Sequence, residues 1–278
     1  MSRVAVVTDN SAGIPLDLAV ELGIEVVPVD VIVGGETLPL GESMDIAQLM
    51  LEGKKVTTSR PTPEAFDQVF QALAVRGYDQ ILVTTLSAKL SGTFDSAVIA
   101  SKDSSIPVNV LDSGSVGLGL GFPVLNAARA AKSGAELAEV LEVLESGIKS
   151  SQVFFYVNTL EYLKRGGRVS PTSALLGTAL AVKPIMTILD GEIVLKEKVR
   201  TQARALTELV HLAVEHAKSL DSAHVGLQYF GDRTLVDQCA LMVAEQFPSV
   251  GLLITEVSPV VGVHAGPGLV GISVVQGT

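Results

Sequence analysis

A chain of 278 residues with 20 Lys+Arg against 30 Asp+Glu, a formal charge of -10, has room for one large or two ordinary α/β domains. It carries no basic stripe with which to displace the counterions of a nucleic acid or to settle on an anionic membrane surface. Hydrophobic residues make up 47%, yet no apolar run reaches the roughly 18 residues of a membrane span, since the longest, Leu175 to Leu189, holds Lys183 and Pro184. A single cysteine, Cys239, excludes an internal disulfide framework and reads as a small core residue. Val4-Ala5-Val6-Val7 is too short for a signal-peptide core, so the expected compartment is the cytoplasm.

Arg3 to Thr8 reads as a first strand, running into Asp9-Asn10-Ser11-Ala12-Gly13 and a helix-starting Pro15. Ile24 to Val33 is a second strand run, closed by a turn at Gly34-Gly35, and Asp45 to Glu52 is a short helix. Val56 to Pro63 stays extended, because each proline pushes its predecessor out of the helical region. The spacing of Phe66, Val69, Phe70 and Leu73 predicts an amphipathic helix over Glu64 to Arg76. The β-branched run Asp79 to Thr85 reads as a buried parallel strand, followed by a turn through Ser87, Lys89 and Ser91-Gly92-Thr93 and a helix from Phe94 to about Lys102. Pro107 to Leu111 is another strand, ending in Asp112-Ser113-Gly114-Ser115, with helices over about Val116 to Lys132 and Ala135 to Ile148. Repeated strand-then-helix order predicts a mostly parallel α/β domain over residues 1–150. Ligands of such sheets lie beyond the carboxyl ends of the strands, where Asp9, Ser91 and Asp112 fall.

Near residue 150 the pattern changes. Val153 to Val157 is a strand, Leu160 to Arg168 a short helix stopped by glycines, and Thr172 to Ala181 another helix. Ile185 to Leu189 and Ile193 to Val199 form a hairpin across Asp190-Gly191. A helix over Ala203 to Lys218, a strand at Val225 to Phe230, a helix at Thr234 to Gln246 and a strand at Leu252 to Val257 follow. A loop through Val260 to Gly268 then leads to a last strand, Ile272 to Val275. The expectation is a smaller α/β domain over 151–278, packed against the first with a cleft between them.

Most familiar chemistry is absent. Gly266-Pro267-Gly268-Leu269-Val270-Gly271 spells GxGxxG, but a strand follows it and the chain ends before the acidic residue that a dinucleotide fingerprint requires. There is no GxxxxGK[ST] phosphate loop and no GxSxG elbow, and His211, His216, His224 and His264 show no metal spacing. What remains points to an anion. Small hydroxyl and glycine residues between a strand and a helix leave the first N–H groups of that helix free, at the positive end of its dipole. The plainer alternative is that Ser91 only N-caps the helix. His264, between glycines, holds a carboxylate as the imidazolium, donates from the neutral ring, or is an ordinary loop residue. Thr58 and Ser59 offer hydroxyl and backbone donors, or satisfy only their own backbone. Arg165 and Arg168 read as a solvated helix end, and Arg200 with Arg204 as a solvated face or a docking site.

Several short motifs recur in one order along nearly the whole chain: Thr8-Asp9-Asn10-Ser11, Thr57-Thr58-Ser59-Arg60-Pro61, Leu90-Ser91-Gly92-Thr93-Phe94 with Ser96-Ala97, and Leu111-Asp112-Ser113. Further along come Leu160 to Arg168 (LEYLKRGGR), Val182-Lys183-Pro184-Ile185, Val199-Arg200-Thr201 and His264-Ala265-Gly266-Pro267-Gly268. Together they resemble the DegV family. That resemblance implies a two-domain α/β fold burying one long-chain fatty acid between its domains. It further implies kinship with the fatty-acid-binding (FakB-like) subunits, which present the carboxylate to a separate (FakA-like) fatty acid kinase that makes an acyl phosphate for phospholipid synthesis. By motif, the carboxylate contacts are Thr58, Ser91 and His264, with Ser59, Gly92, Thr93 and Gly266 beside them, and Arg200 serves kinase docking or phosphoryl transfer. The chain is then a lipid carrier rather than an enzyme, with no metal or cofactor. Alternatives are a stand-alone hydrolase or phosphotransferase using His264 with Ser91, and a sensor of another anionic amphiphile. The sequence departs from the family pattern where Arg60 replaces a common glutamine and Asn10 a serine.

Overall fold

The computed structural model describes residues 3–38, 44–169, 182–248 and 250–277. In chain order the first half contains β1 (Val4–Asp9), α1 (Leu16–Leu22), β2 (Glu25–Val27), β3 (Asp30–Val33), β4 (Glu36–Thr37), α2 (Ile46–Leu51) and β5 (Val56–Ser59). It continues with α3 (Pro63–Val75), β6 (Gln80–Thr85), α4 (Thr93–Ser101), β7 (Val108–Asp112), α5 (Leu118–Lys132) and α6 (Leu137–Ser150). The second half contains β8 (Gln152–Tyr156), α7 (Glu161–Arg165), β9 (Lys183–Leu189), β10 (Glu192–Val199), α8 (Gln202–Lys218) and β11 (Ala223–Tyr229). It ends with α9 (Thr234–Gln246), β12 (Leu252–Glu256), α10 (Pro259–Ala265) and β13 (Val270–Gln276). The helix expected over Thr172 to Ala181 lies outside the described residues. Among the described residues, no helix is long and apolar enough to cross a membrane.

Strands β2-β1-β6-β7 form a four-stranded parallel sheet. β1 and the body of β6 are buried on both faces, which is why they read as unbroken apolar runs. Phe66, Phe70 and Leu73 of α3 with Ala97 and Ala100 of α4 cover one face, and Val140 and Leu144 of α6 pack with Val4 and Leu82 on the other. Strands β4-β3-β5 make a small antiparallel sheet. The second half builds a six-stranded sheet in the order β10-β9-β8-β13-β11-β12, in which β11 and β12 run parallel and the other pairs antiparallel. Helix α5 joins the two halves. Leu118 to Ala128 are all buried, and Leu118, Leu120 and Phe122 share a cluster with Val6 of β1 and Val275 of β13. A helix apolar on every side belongs in an interior.

Two local readings change and a third holds. The run from Ile24 to Val33 is not one strand, because Pro28 lacks an N–H and breaks the ladder after Val27. Asn10 then clasps the backbone of Val29 from both sides, Nδ2 donating to its carbonyl (3.1 Å) and Oδ1 accepting from its N–H (3.0 Å). The chain thereby leaves the parallel sheet and β3 joins β5, and the departure at Asn10 has a structural role. Second, the stretch around His264 is helix rather than loop: Pro259 opens α10 and places His264 in its last turn. Third, Asp190-Gly191 does form the expected turn, with φ of 50° and 79°, and Ser87 Oγ donates to the Gly191 carbonyl at 2.7 Å, tying the hairpin to the end of β6.

Candidate functional site

A cavity of about 230 Å³ lies between the six-stranded sheet, α10 and the loop after β6, far more than the roughly 10–15 Å³ one water requires. Alternate residues of two paired strands form its floor: Gly271 and Ser273 of β13, with Leu269 just before it, and Val153 and Phe155 of β8. Val260, Val261 and Ala265 of α10 face Leu86 and Leu90 across it. Two strand-end aspartates hold that loop. Asp9 accepts from Leu86 N (2.8 Å) and Ser11 N (2.9 Å), and Asp112 accepts from Ala88 N (3.1 Å) and Gly114 N (2.9 Å). Burial raises the pKa of Asp9 and its hydrogen bonds draw it partly back. Both aspartates therefore shape the wall, and of the three strand-end residues only Ser91 lines the cavity.

The end nearest the surface is polar. Thr58 from β5, Arg60 just beyond it, Ser91 and Gly92 at the start of α4, Arg168 beyond α7 and His264 of α10 gather there. Thr58 Oγ1 and His264 Nε2 lie 2.8 Å apart. The imidazole sits so close to the chain end of α7 that a Cβ on Gly166 would lie 2.5 Å from Nδ1, hence the glycine. Burial, and then the Arg168 charge, push the His264 pKa down to about 4. The ring is therefore neutral at neutral pH.

Arg168 is more than a solvated helix end. Its Nε donates to the Leu90 carbonyl (3.1 Å) and its Nη1 to the Gly166 carbonyl, joining α7 to the loop before α4. Half-buried, it keeps its charge at the cavity mouth, although burial lowers its pKa. Arg60 lies over Gly92, where a Cβ would stand 2.2 Å from the guanidinium. Among the described residues no carboxylate forms an ion pair with Arg60 or Arg168. Ser91 does not cap α4. Gly92 occupies the N-cap without a side-chain bond, and Ser91 Oγ pairs instead with Thr93 Oγ1 at 2.9 Å. Two guanidinium groups, two hydroxyls and an open helix start thus face one cavity end, with no acid among the described residues to balance them. That end suits an anion.

Thr58, Ser91, Gly92 and His264 therefore meet on one wall. Thr93 is fully buried behind Ser91, and Ser59 is exposed with Oγ bonded to the Arg60 carbonyl (3.4 Å). Gly266 backs onto the Tyr162 ring, and Arg200 is exposed in the bend between β10 and α8. None of these four lines the cavity. Gln228 and Ser273 line it without having stood out in the sequence, and Arg168, read there as a solvated helix end, lines it too. The one available signal for Arg168 was Gly166-Gly167, with Gly167 at φ 70°, which turns the chain back toward the mouth. Among the described residues no cluster of His, Cys, Asp or Glu could hold a metal ion.

The low His264 pKa has a consequence for stability. Between pH 6.5 and about 4 the unfolded chain takes up a proton that the folded ring refuses, so stability is complete above that window and falls as pH drops through it. His264→Gln removes this dependence, on the order of 3 kcal/mol across the window. Denaturant titrations of the two proteins at pH 4.5 and 7 check it. Equal acid sensitivity contradicts a neutral buried ring.

The DegV family profile, described as an uncharacterised protein of that family, matches residues 3–277. A DegV domain-containing protein of Streptomyces coelicolor is 37% identical over 279 residues, covering 99% of each chain. Among solved structures, the DegV family protein of Thermus thermophilus, described for its fatty acid binding, superposes with a TM-score of 0.92 at 33% identity over 99% of each chain. DegV of Bacillus subtilis, described as a fatty acid binding protein, gives 0.90 at 28% identity over the full length of both. With fold, motifs and near-complete coverage in agreement, the chain belongs to the DegV family.

Proposed function

We propose that this chain binds one long-chain fatty acid, tail in the apolar cavity and carboxylate at the mouth, and presents that carboxylate to a separate kinase for acyl-phosphate formation. The observation that carries the first part is the mouth itself: an aliphatic slot ending at Thr58, Ser91, His264 and two cations without acid partners among the described residues. The family members from Thermus thermophilus and Bacillus subtilis, described as fatty acid binders, support it. At about 0.8 kcal/mol per buried CH₂, a sixteen-carbon tail contributes on the order of 10 kcal/mol, so the tail dominates affinity. The head group is the harder problem, since an unpaired buried carboxylate is prohibitive. In our reading, Thr58 donates its hydroxyl proton to the carboxylate, and the neutral His264 ring supports Thr58 by donating from Nε2 to Oγ1. Ser91, steadied by Thr93, donates on the other side, and Arg168 and Arg60 supply charge from the rim.

The same geometry supports the division of labour. His264 is bonded to Thr58, is a weak base at a pKa of about 4, and has no orienting carboxylate among the described residues, all of which weigh against a stand-alone hydrolase. The chain holds the acid, and the partner brings nucleotide and metal. Exposed Arg200, off the cavity wall, is the residue we assign to docking or phosphoryl transfer, and the division at residue 150 is the one we assign to the two domains. Delipidated protein titrated with hexadecanoic acid tests this. Ser91→Ala and His264→Ala should each weaken binding by about 1–3 kcal/mol. Arg200→Ala should bind as the wild type does and fail in kinase-dependent acyl-phosphate formation. Absence of saturable binding by the wild type would sink the reading, and full turnover by Arg200→Ala would remove that residue from it.

A further inference from the structure

The inner end of the cavity is not purely apolar. Ser273 is 2% exposed and Gln228 4%, and both line it. Gln228 of β11 stands opposite Gly271, and Ser273 lies two residues further along β13, so the two side chains are diagonal neighbours on the floor. Gln228 has structural duties: its Oε1 accepts from Leu118 N at the start of α5 (2.8 Å) and its Nε2 donates to Thr255 Oγ1 (3.2 Å). Those bonds use one acceptor position and one of two amide protons, leaving the others free. Ser273 has no such duty. Its hydroxyl has no hydrogen-bond partner among the described residues, and its partner on β8 is the apolar Val153, also on the cavity wall. A strand at this place has no need of serine, since a β-branched apolar residue suits the ladder better. Against an all-methylene tail, the buried hydroxyl stays unpaired.

We propose that the cavity takes an acyl chain bearing one hydroxyl, held by Ser273 Oγ and the spare amide proton of Gln228. This rests on the fatty-acid reading of the same cavity and specifies the tail. Leu269 follows directly on the mouth, its N–H bonded to the Gly266 carbonyl just beyond α10 (3.3 Å). Ser273 lies four residues deeper, roughly 13 Å along the strand. The recognised hydroxyl is therefore near the middle of a long chain, well away from the carboxylate. Two hydrogen bonds form: the ligand hydroxyl donates to Ser273 Oγ and accepts from Gln228 Nε2.

The test titrates delipidated protein with octadecanoic acid and with its 10-hydroxy and 12-hydroxy derivatives, for the wild type and Ser273→Ala, with thermal melts to confirm that both are folded. The wild type should bind at least one hydroxy acid about fivefold more tightly than the plain acid. Ser273→Ala should reverse that order, gaining for the plain acid and losing for the hydroxy acid. If the wild type prefers the plain acid, or Ser273→Ala keeps the wild-type order, the hydroxyl site is overturned while fatty-acid binding stands. Failure of all three acids to bind overturns both. A water trapped on Ser273 beneath a plain tail gives the first of these contrary results.

Discussion

Gly271→Leu should fold at least as stably as the wild type and lose fatty-acid affinity by about two orders of magnitude. Gly271 lies mid-floor, and a Cβ there would meet only the Phe155 Cβ at 3.7 Å and the Phe154 carbonyl at 3.9 Å, both ordinary contacts. Its φ is not among the positive values, so an L side chain fits the backbone. A glycine within a strand loses more entropy on folding than any other residue and packs nothing, so leucine improves the strand. The new side chain has one direction open to it, into the cavity. There its four carbons displace about four methylenes of tail, each worth about 0.8 kcal/mol, or roughly 3 kcal/mol together. Titration with hexadecanoic acid beside a thermal melt reads both effects. Unchanged affinity in a folded Gly271→Leu protein would place the tail elsewhere.

Gly266→Ala should have the opposite profile, a large loss of stability at a residue off the cavity wall. Gly266 ends α10 with φ 87° and ψ 160°, a region essentially reserved for glycine and worth about 1–3 kcal/mol of strain to any other residue. An added Cβ would also lie 2.2 Å from the Tyr162 ring, over which the Arg165 guanidinium stands 5.1 Å from the centroid. Overpacking of that kind adds about 1–3 kcal/mol. The sum is on the order of 4 kcal/mol, or a melting temperature lower by roughly 10 °C. Gly268→Ala is the control. Its φ is 85°, but its nearest neighbour is the Asn158 Cβ at 3.4 Å, so it should show the strain alone. Equal melting of Gly266→Ala and Gly268→Ala would mean that Tyr162 yields and that α7 is not fixed by this contact.

Where the chain alternates strand and helix, the sequence was enough. β1 and β6 are buried on both faces and α3 on one, so each shows the apolar period its surroundings require. The turn at Asp190-Gly191 was equally plain, because only residues tolerant of positive φ suit it. α10 was hidden by its composition. Pro259-Val260-Val261-Gly262-Val263 is poor helix material, and tertiary packing overrides it: Gly262 lies against the Phe230 ring, where a Cβ would stand 2.3 Å away. Pro28 was visible as a letter, but the strand break it causes depends on Asn10 seizing Val29 nineteen residues on.

The donors were visible in the sequence one by one, but that they form one site was legible only through resemblance, for a physical reason. Thr58 and His264 are 206 positions apart and meet through three separate sheets and helices, so no local period brings them together. Arg168 was read by the helix-end rule, and it does bond a carbonyl of its own turn, but its second carbonyl belongs to Leu90, 78 residues away. The low pKa of His264 comes first from burial, which a loop reading between glycines does not suggest. Ser273 was lost inside an otherwise apolar strand, where alternation assigns a face but not what lies opposite.

The most direct measurement is organic extraction of the purified protein followed by mass spectrometry and quantitation against the chain. One long-chain fatty acid per chain, removed by extraction and restored by incubation with free acid, is the expected result. A chain that yields no acyl compound, and takes up none when offered, would contradict a lipid slot between α10 and the six-stranded sheet.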